Sequence, residues 1–323
     1  MVLTNRNNCL NILKCIACFG VVFIHVPFPG VFGVIIKYMS TFAVPLFFMI
    51  AGYYSYGCTE AKIFRRLIKI VKILIFAILC FLIWEIINQL KNHTLISWFI
   101  INFNWKMPIK FFVFCTIPWS IHLWYLIAMS ETYLTWFIIV RHRLEHKAIR
   151  FCGCFLLLGA ILDVIVESFG FKWLFKVNFL LRALPWFMLG YMIHKKYKSN
   201  IPEIKNSKLA LIASIGWIIT ISVAFFNIKI NYNYIGVLIT APSLFILAIK
   251  NSNIKISKPI EYIAEKLSLF IYIFHPLVSS IIIIFMKNII NINGIYTYFH
   301  PVITLFASIF VSLIFDLLLS KKI

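Results

Sequence analysis

From Leu267 to Met286 the chain runs for 20 residues without one Asp, Glu, Lys or Arg, and from Val302 to Phe315 for another 14. About 20 consecutive apolar residues, wound as a helix, just cross the ~30 Å hydrocarbon core of a bilayer. No water is available there, so each run must satisfy its own backbone polar groups, which admits only helices or a closed barrel. Barrel strands would show short alternating segments rather than unbroken runs. Composition agrees, with 62% hydrophobic and 13% charged residues, where a soluble domain has near half and near a quarter. Apolar runs fall at residues 9–26, 39–56, 70–87, 123–140, 151–169, 178–193, 209–226, 234–249, 267–286 and 302–319. The expected fold is all-α: a polytopic transmembrane helix bundle of about ten spans. Residues 1–323 are expected to form a single integral-membrane domain, with no appended soluble domain.

A net charge of +21 raises the question of nucleic acid. If the N-terminus is cytoplasmic and ten spans follow, 22 of the 31 Lys and Arg residues fall in the inner segments, including Lys62–Lys72, Arg141–Arg150 and Lys195–Lys208. Cations gather there because they resist translocation. The basic excess therefore reads as orientation, with both termini cytoplasmic, and nucleic acid is not an expected partner. The longest non-spanning stretch, Asn88 to His122, is expected along the outer surface as short amphipathic pieces. Its Trp98, Trp105 and Trp119, with Trp124 beyond it, suit the headgroup level.

Eight cysteines are scattered through apolar runs. Cys15 and Cys18 have CxxC spacing but no second pair, so they read as small packing residues and no metal site is expected. Ionisable groups at membrane depth are more informative, because each costs free energy unless it faces protein, water or a partner. Lys14 and His25 are eleven residues apart, which is three helical turns plus about 20°, so they share a face about 16 Å apart along the axis. Snorkelling to the inner headgroups accounts for Lys14 equally well. Imidazole at His25 is the side chain best able to take and return a proton near neutral pH.

The run NCLNILKCIACFGVVFIH from Asn8, followed by AVPLFFMIAGYY from Ala43, resembles the opening of the membrane-bound acyltransferase-3 family. That family places a basic residue, ten intervening residues and a histidine on its first helix. KIFRRLIKIVK from Lys62, HLWYLIA from His122, LRALPWFMLGY from Leu181 and KLSLFIYIFHPLV from Lys266 follow in the family's order and extend the resemblance over nearly the whole chain. It implies transfer of an acyl group, most often acetyl from acetyl-CoA, to a hydroxyl of a cell-envelope carbohydrate such as O-antigen, capsule or exopolysaccharide, in a bacterial inner membrane. No permanently bound cofactor is implied; acyl-CoA, the carbohydrate acceptor and the bilayer are the implied partners. His25 takes the place of the family's essential histidine and Lys14 the basic position before it, where many members have Arg. Arg65, Arg66 and Lys69 fall in the stretch associated with the acyl donor. Guanidinium groups suit the phosphates of a coenzyme A, although the orientation rule demands cations there anyway, and for Lys69 it is the better explanation.

Further candidates line up with the later strings. Ser268, Tyr272 and His275 share a face of the ninth run and suggest a cavity wall; a packed histidine bonded to a nearby carbonyl is the alternative. Arg182 is a candidate for the acceptor or for interfacial anchoring. His122, Trp124 and Tyr125 suit stacking and hydrogen bonding to a sugar, or an aromatic belt. Glu131 is a candidate to orient a histidine, but the family's double glutamate lies elsewhere, so no role carries over to it. The rival reading is a transporter or flippase of a small polar or lipid-linked substrate, because polar groups along a bundle also describe a substrate route. Against it, the chain shows no paired halves with corresponding broken helices. Nothing in the sequence fixes an oligomeric state.

Overall fold

The computed structural model describes residues 7–170, 177–198, 203–225, 233–289 and 295–320. Arg6, Lys172, Lys176, Lys229, Lys321 and Lys322, all counted above by side, lie outside them. All regular elements of the described residues are helices, with no strand among them. In chain order the helices are α1 (Asn8–His25), α2 (Gly30–Met39), α3 (Ala43–Tyr53), α4 (Glu60–Lys91), α5 (Leu95–Asn102), α6 (Lys106–Phe112), α7 (Trp124–Arg141), α8 (Glu145–Arg150), α9 (Cys152–Ser168), α10 (Phe179–Arg182), α11 (Leu184–Tyr197), α12 (Asn206–Phe225), α13 (Asn233–Lys250), α14 (Lys258–Tyr262), α15 (Ser268–Ile289) and α16 (Ile295–Ser320).

Six stretches of the described residues are long and apolar enough to cross a membrane: Asn8–His25, Gly30–Tyr53, Glu60–Lys91, Ile121–Arg141, Lys258–Met286 and Tyr296–Leu318. Three shorter apolar helices lie at Cys152–Val166, Asn206–Ser222 and Tyr234–Lys250. The protein is thus a multi-pass membrane protein. Its exposed surface fits that solvent: α4 presents Ile75, Leu79, Ile83 and Ile87, all more than half exposed, at every fourth position. Such a stripe would be an aggregation hazard in water.

Several expected spans differ in detail. The second begins earlier, as α2, and passes through a 3-10 turn at Ser40–Phe42 into α3. The run at 178–193 is divided. Asn178 caps α10 by accepting from the Leu181 amide at 2.8 Å, and Pro185 opens α11. Proline has no N–H with which to continue the hydrogen-bond ladder, but its fixed φ suits a helix start. Within residues 88–122 the short helices α5 and α6 have no buried side chain, and Trp98, Phe103 and Trp119 pack on one another.

Backbone contacts divide the chain into two compact units, Met1–Phe47 with Ser199–Ile323, and Phe48–Lys198. In the first, α1 starts under an Asn7 cap, whose side chain accepts from the Leu10 amide at 2.9 Å, and ends before Pro27. It runs parallel to α15. Asn11 bonds Glu265, Cys18 reaches the Ser268 carbonyl, and Val22 packs with Leu267, Ile271 and Leu305. A π turn at Ile263–Leu267 links α14 to α15. α12 and α13 lie antiparallel at backbone distance: a Cβ on Gly216 would meet Thr240 Oγ1 at 2.3 Å, and one on Gly236 would meet Thr220 Oγ1 at 2.1 Å. Small residues permit this approach where lipid supplies no hydrophobic drive between helices.

In the second unit α4 packs against α7, and α3 against α11. The α3–α11 contact depends on two glycines. A Cβ on Gly52 would lie 1.8 Å from the Phe187 carbonyl oxygen, and one on Gly190 would lie 2.0 Å from that of Met49. This contact fixes where the chain leaves α3, at Tyr53–Gly57.

Candidate active site

In the first unit, the face of α1 that carries Lys14 and His25 is the face laid on α15. Cys18 and Val22, between them on that face, make the contacts just described. His25 is exposed at the end of α1, and His275 is fully buried. Their ring centroids are 5.2 Å apart, with the planes inclined at 44°. The reason for the His275 orientation lies in the next residue. Pro276 has no N–H, so the carbonyl four residues before it, that of Tyr272, loses its usual helical donor. His275 Nδ1 supplies one, at 2.8 Å from the Tyr272 oxygen and 3.1 Å from that of Ile271. Carbonyls only accept, so Nδ1 carries the hydrogen, and in the neutral ring the lone pair is on Nε2. Of the two alternatives considered above for His275, the packed, carbonyl-bonded histidine is the one whose contacts are present. Tyr272 and Ser268 are buried on the same face of α15, and the Ser268 hydroxyl donates to the Ala264 carbonyl at 2.9 Å.

One turn beyond His275, Ser279 Oγ lies 3.2 Å from His300 Nε2, and Tyr296 packs on the His300 ring at 5.2 Å between centroids. The sequence alone does not pair them, because Ser279 and His300 are on different helices. One signal was present: His300 precedes Pro301 as His275 precedes Pro276.

The second unit holds the remaining candidates. Arg66 is half-buried, and its Nη1 donates to Ser55 Oγ at 2.9 Å. The buried Tyr133 hydroxyl is hydrogen-bonded to both Ser55 and Arg66. Arg65 and Lys69 are exposed on another face of α4. His122 is buried with Nδ1 3.4 Å from Ser120 Oγ and its ring edge-on to Phe81 at 4.5 Å. Trp124 and Tyr125 both pack on Phe48. Glu131 accepts from the Cys115 thiol at 3.1 Å. It is nine residues from His122, about half a turn out of phase on a helix. Arg182 forms an ion pair with Asp163, both side chains about nine-tenths buried. Among the described residues no group of three or more His, Cys, Asp or Glu side chains could share a metal ion.

A family model described as an acyltransferase domain, that of acyltransferase-3, matches residues 7–321. The chain belongs to the acyltransferase-3 family. Comparisons with curated proteins and with solved structures return no match. As a member of that family the protein is a membrane acyltransferase. Lys14, His25, Ser268, Tyr272 and His275 of this acyltransferase-3 chain are gathered on α1 and α15. Arg65, Arg66, Lys69, His122, Trp124, Tyr125, Glu131 and Arg182 belong to the other unit.

Proposed function

We propose that the protein transfers an acetyl group from cytoplasmic acetyl-CoA to a hydroxyl of a cell-envelope carbohydrate, such as O-antigen, capsule or exopolysaccharide, in a bacterial inner membrane. Both termini are on the cytoplasmic side in this reading. The observation that carries it is the His25–His275 pair: an accessible imidazole at a helix end, backed by a buried one whose tautomer is fixed by two carbonyls. His25 acts as general base. The acceptor oxygen bonds to the thioester carbonyl carbon, the C–S bond breaks, and the proton taken by His25 passes to the leaving thiolate. The products are an ester and free coenzyme A. A positioned base of this kind contributes about 10²–10⁴-fold. Lys14 supplies positive charge three turns inward on the same face, and Arg66, held by Ser55 and Tyr133, is the best-organised cation for the donor's phosphates.

Incubating the purified protein with radiolabelled acetyl-CoA and envelope polysaccharide tests the reading. Label in the carbohydrate is expected. Uptake of a small substrate into proteoliposomes, with no label transferred under any acceptor, would replace it with the transporter reading.

A further inference from the structure

At one end of the second unit, three segments that the charge distribution assigns to the inner side meet around a pocket of about 230 Å³. Its walls are Tyr56 and Gly57 after α3, Glu145, His146 and Ile149 of α8, and Tyr191, Lys195 and Lys198 from the end of α11. Orientation in a membrane explains why lysines occur in these segments. It does not explain why they converge, with two phenol rings, on a cavity.

The contacts inside are specific. The Tyr56 ring has His194 stacked near it, with centroids 4.9 Å apart and planes at 28°, and Tyr191 edge-on at 5.2 Å. Lys198 Nζ stands 5.7 Å from the Tyr56 centroid. His194 is itself anchored, with Nδ1 2.7 Å from the Tyr53 carbonyl oxygen. Lys195 Nζ lies 3.0 Å from His146 Nδ1. An ammonium only donates, so Nδ1 is the acceptor and Nε2 of that ring carries the hydrogen. Gly57 holds φ at +65°, a backbone conformation that side chains oppose, and a Cβ there would meet nothing within 4 Å. Arg66 bonds Ser55, the residue before Tyr56.

We infer that this pocket binds the nucleotide end of the acyl donor, an adenosine bearing phosphate, and so sets the donor's affinity; the assignment of the donor as acyl-CoA rests on the proposed function. Lys195 and Lys198 offer point charges to phosphate, with His146 Nε2–H as a further donor. The tyrosines offer faces and edges to a base. Glu145 would repel phosphate, and it accepts from an exocyclic amine such as adenine carries. Size supports a part rather than the whole: sites for complete drug-sized ligands run ~300–1,000 Å³, so 230 Å³ takes one end of a coenzyme and leaves the thioester arm outside. An anionic lipid headgroup shares the phosphate chemistry but has no use for the aromatic walls.

The test uses the full chain in nanodiscs of zwitterionic lipid, with adenosine 3′,5′-bisphosphate as probe in calorimetry. Wild type is expected to bind it. The Lys195→Gln/Lys198→Gln double variant and Tyr56→Ala are each expected to weaken binding at least tenfold, with unchanged size-exclusion profiles. The same variants should lower the ratio of kcat/KM for acetyl-CoA to that for acetyl-pantetheine at least tenfold. Equal binding by wild type and variants, or displacement of the probe by anionic lipid but not by coenzyme A, would overturn the assignment. Specific probe binding with no acyl transfer from either donor would retain the nucleotide pocket and reject the acyltransfer chemistry proposed above.

Discussion

Replacing Gly52 by alanine drives a methyl group into the backbone of α11. The new Cβ would sit 1.8 Å from the Phe187 oxygen, where ordinary contact begins at 3.4 Å, so the two helices must part by about 1.6 Å. A flexible side chain could swing aside; a helical carbonyl cannot. Overpacking typically costs 1–3 kcal/mol, and a backbone obstacle belongs at the upper end. The gain in helix propensity on replacing Gly returns about 1 kcal/mol, leaving a net loss of about 2 kcal/mol. At 2–4 °C per kcal/mol for a chain of some size, the melting midpoint in detergent should fall by about 4 °C or more. Gly190→Ala meets the Met49 oxygen at 2.0 Å across the same interface. Once one methyl has opened the gap the second needs little more, so the double variant should lose less than the two singles combined. Gly153→Ala, with nothing within 4 Å, is the control and should be neutral or slightly stabilising. Because α3 and α11 hold Tyr56 against Tyr191, Gly52→Ala should also weaken binding of the nucleotide probe. A Gly52→Ala protein that melts with wild type and binds the probe equally well would refute the reasoning.

Three further outcomes follow from particular contacts. His275→Ala removes the donor that caps the Tyr272 carbonyl and the ring beside His25, and is expected to lower kcat at least tenfold; His275→Gln, which keeps an N–H, should recover part of it, and equal loss in both would count against a positioning role. Asp163→Asn leaves Arg182 charged and largely buried, so it should cost about 3–5 kcal/mol, whereas Asp163→Leu/Arg182→Met should melt closer to wild type than Asp163→Asn does. Burial, reinforced by the Glu131 carboxylate, pushes the Cys115 thiol above its ordinary range. It therefore stays protonated as pH rises through 8–9, and alkylation by iodoacetamide should lag far behind that of the half-buried Cys58 until the protein is denatured.

The helical class and the positions of most runs were legible, because a stretch such as Leu267–Met286 has few alternatives in a chain of this composition. The shared face of Lys14 and His25 was legible too, since it needs only helical geometry. Other features were not, for a common reason. In a membrane the outward face is as apolar as the core, so periodicity that would reveal a buried face in a soluble helix is faint. The Gly52–Phe187 and Gly216–Thr240 approaches, the Arg182–Asp163 pair and the Ser279–His300 contact are all pairings between helices, which one sequence does not encode locally. Glu131 shows the same limit: its helix suggested a histidine partner, and its thiol partner comes from a loop sixteen residues earlier. The break at Ala183 was readable, because Pro185 lies within the run expected to span.

The central claim is that His25 is the base of an acetyl transfer, and the rate of transfer by His25→Ala tests it most directly. Purified wild type and His25→Ala, matched for size-exclusion profile and melting midpoint, are given radiolabelled acetyl-CoA and the envelope polysaccharide. The account predicts loss of about 10²–10⁴-fold in the rate of label appearing in carbohydrate. Transfer by the folded variant at the wild-type rate would contradict it.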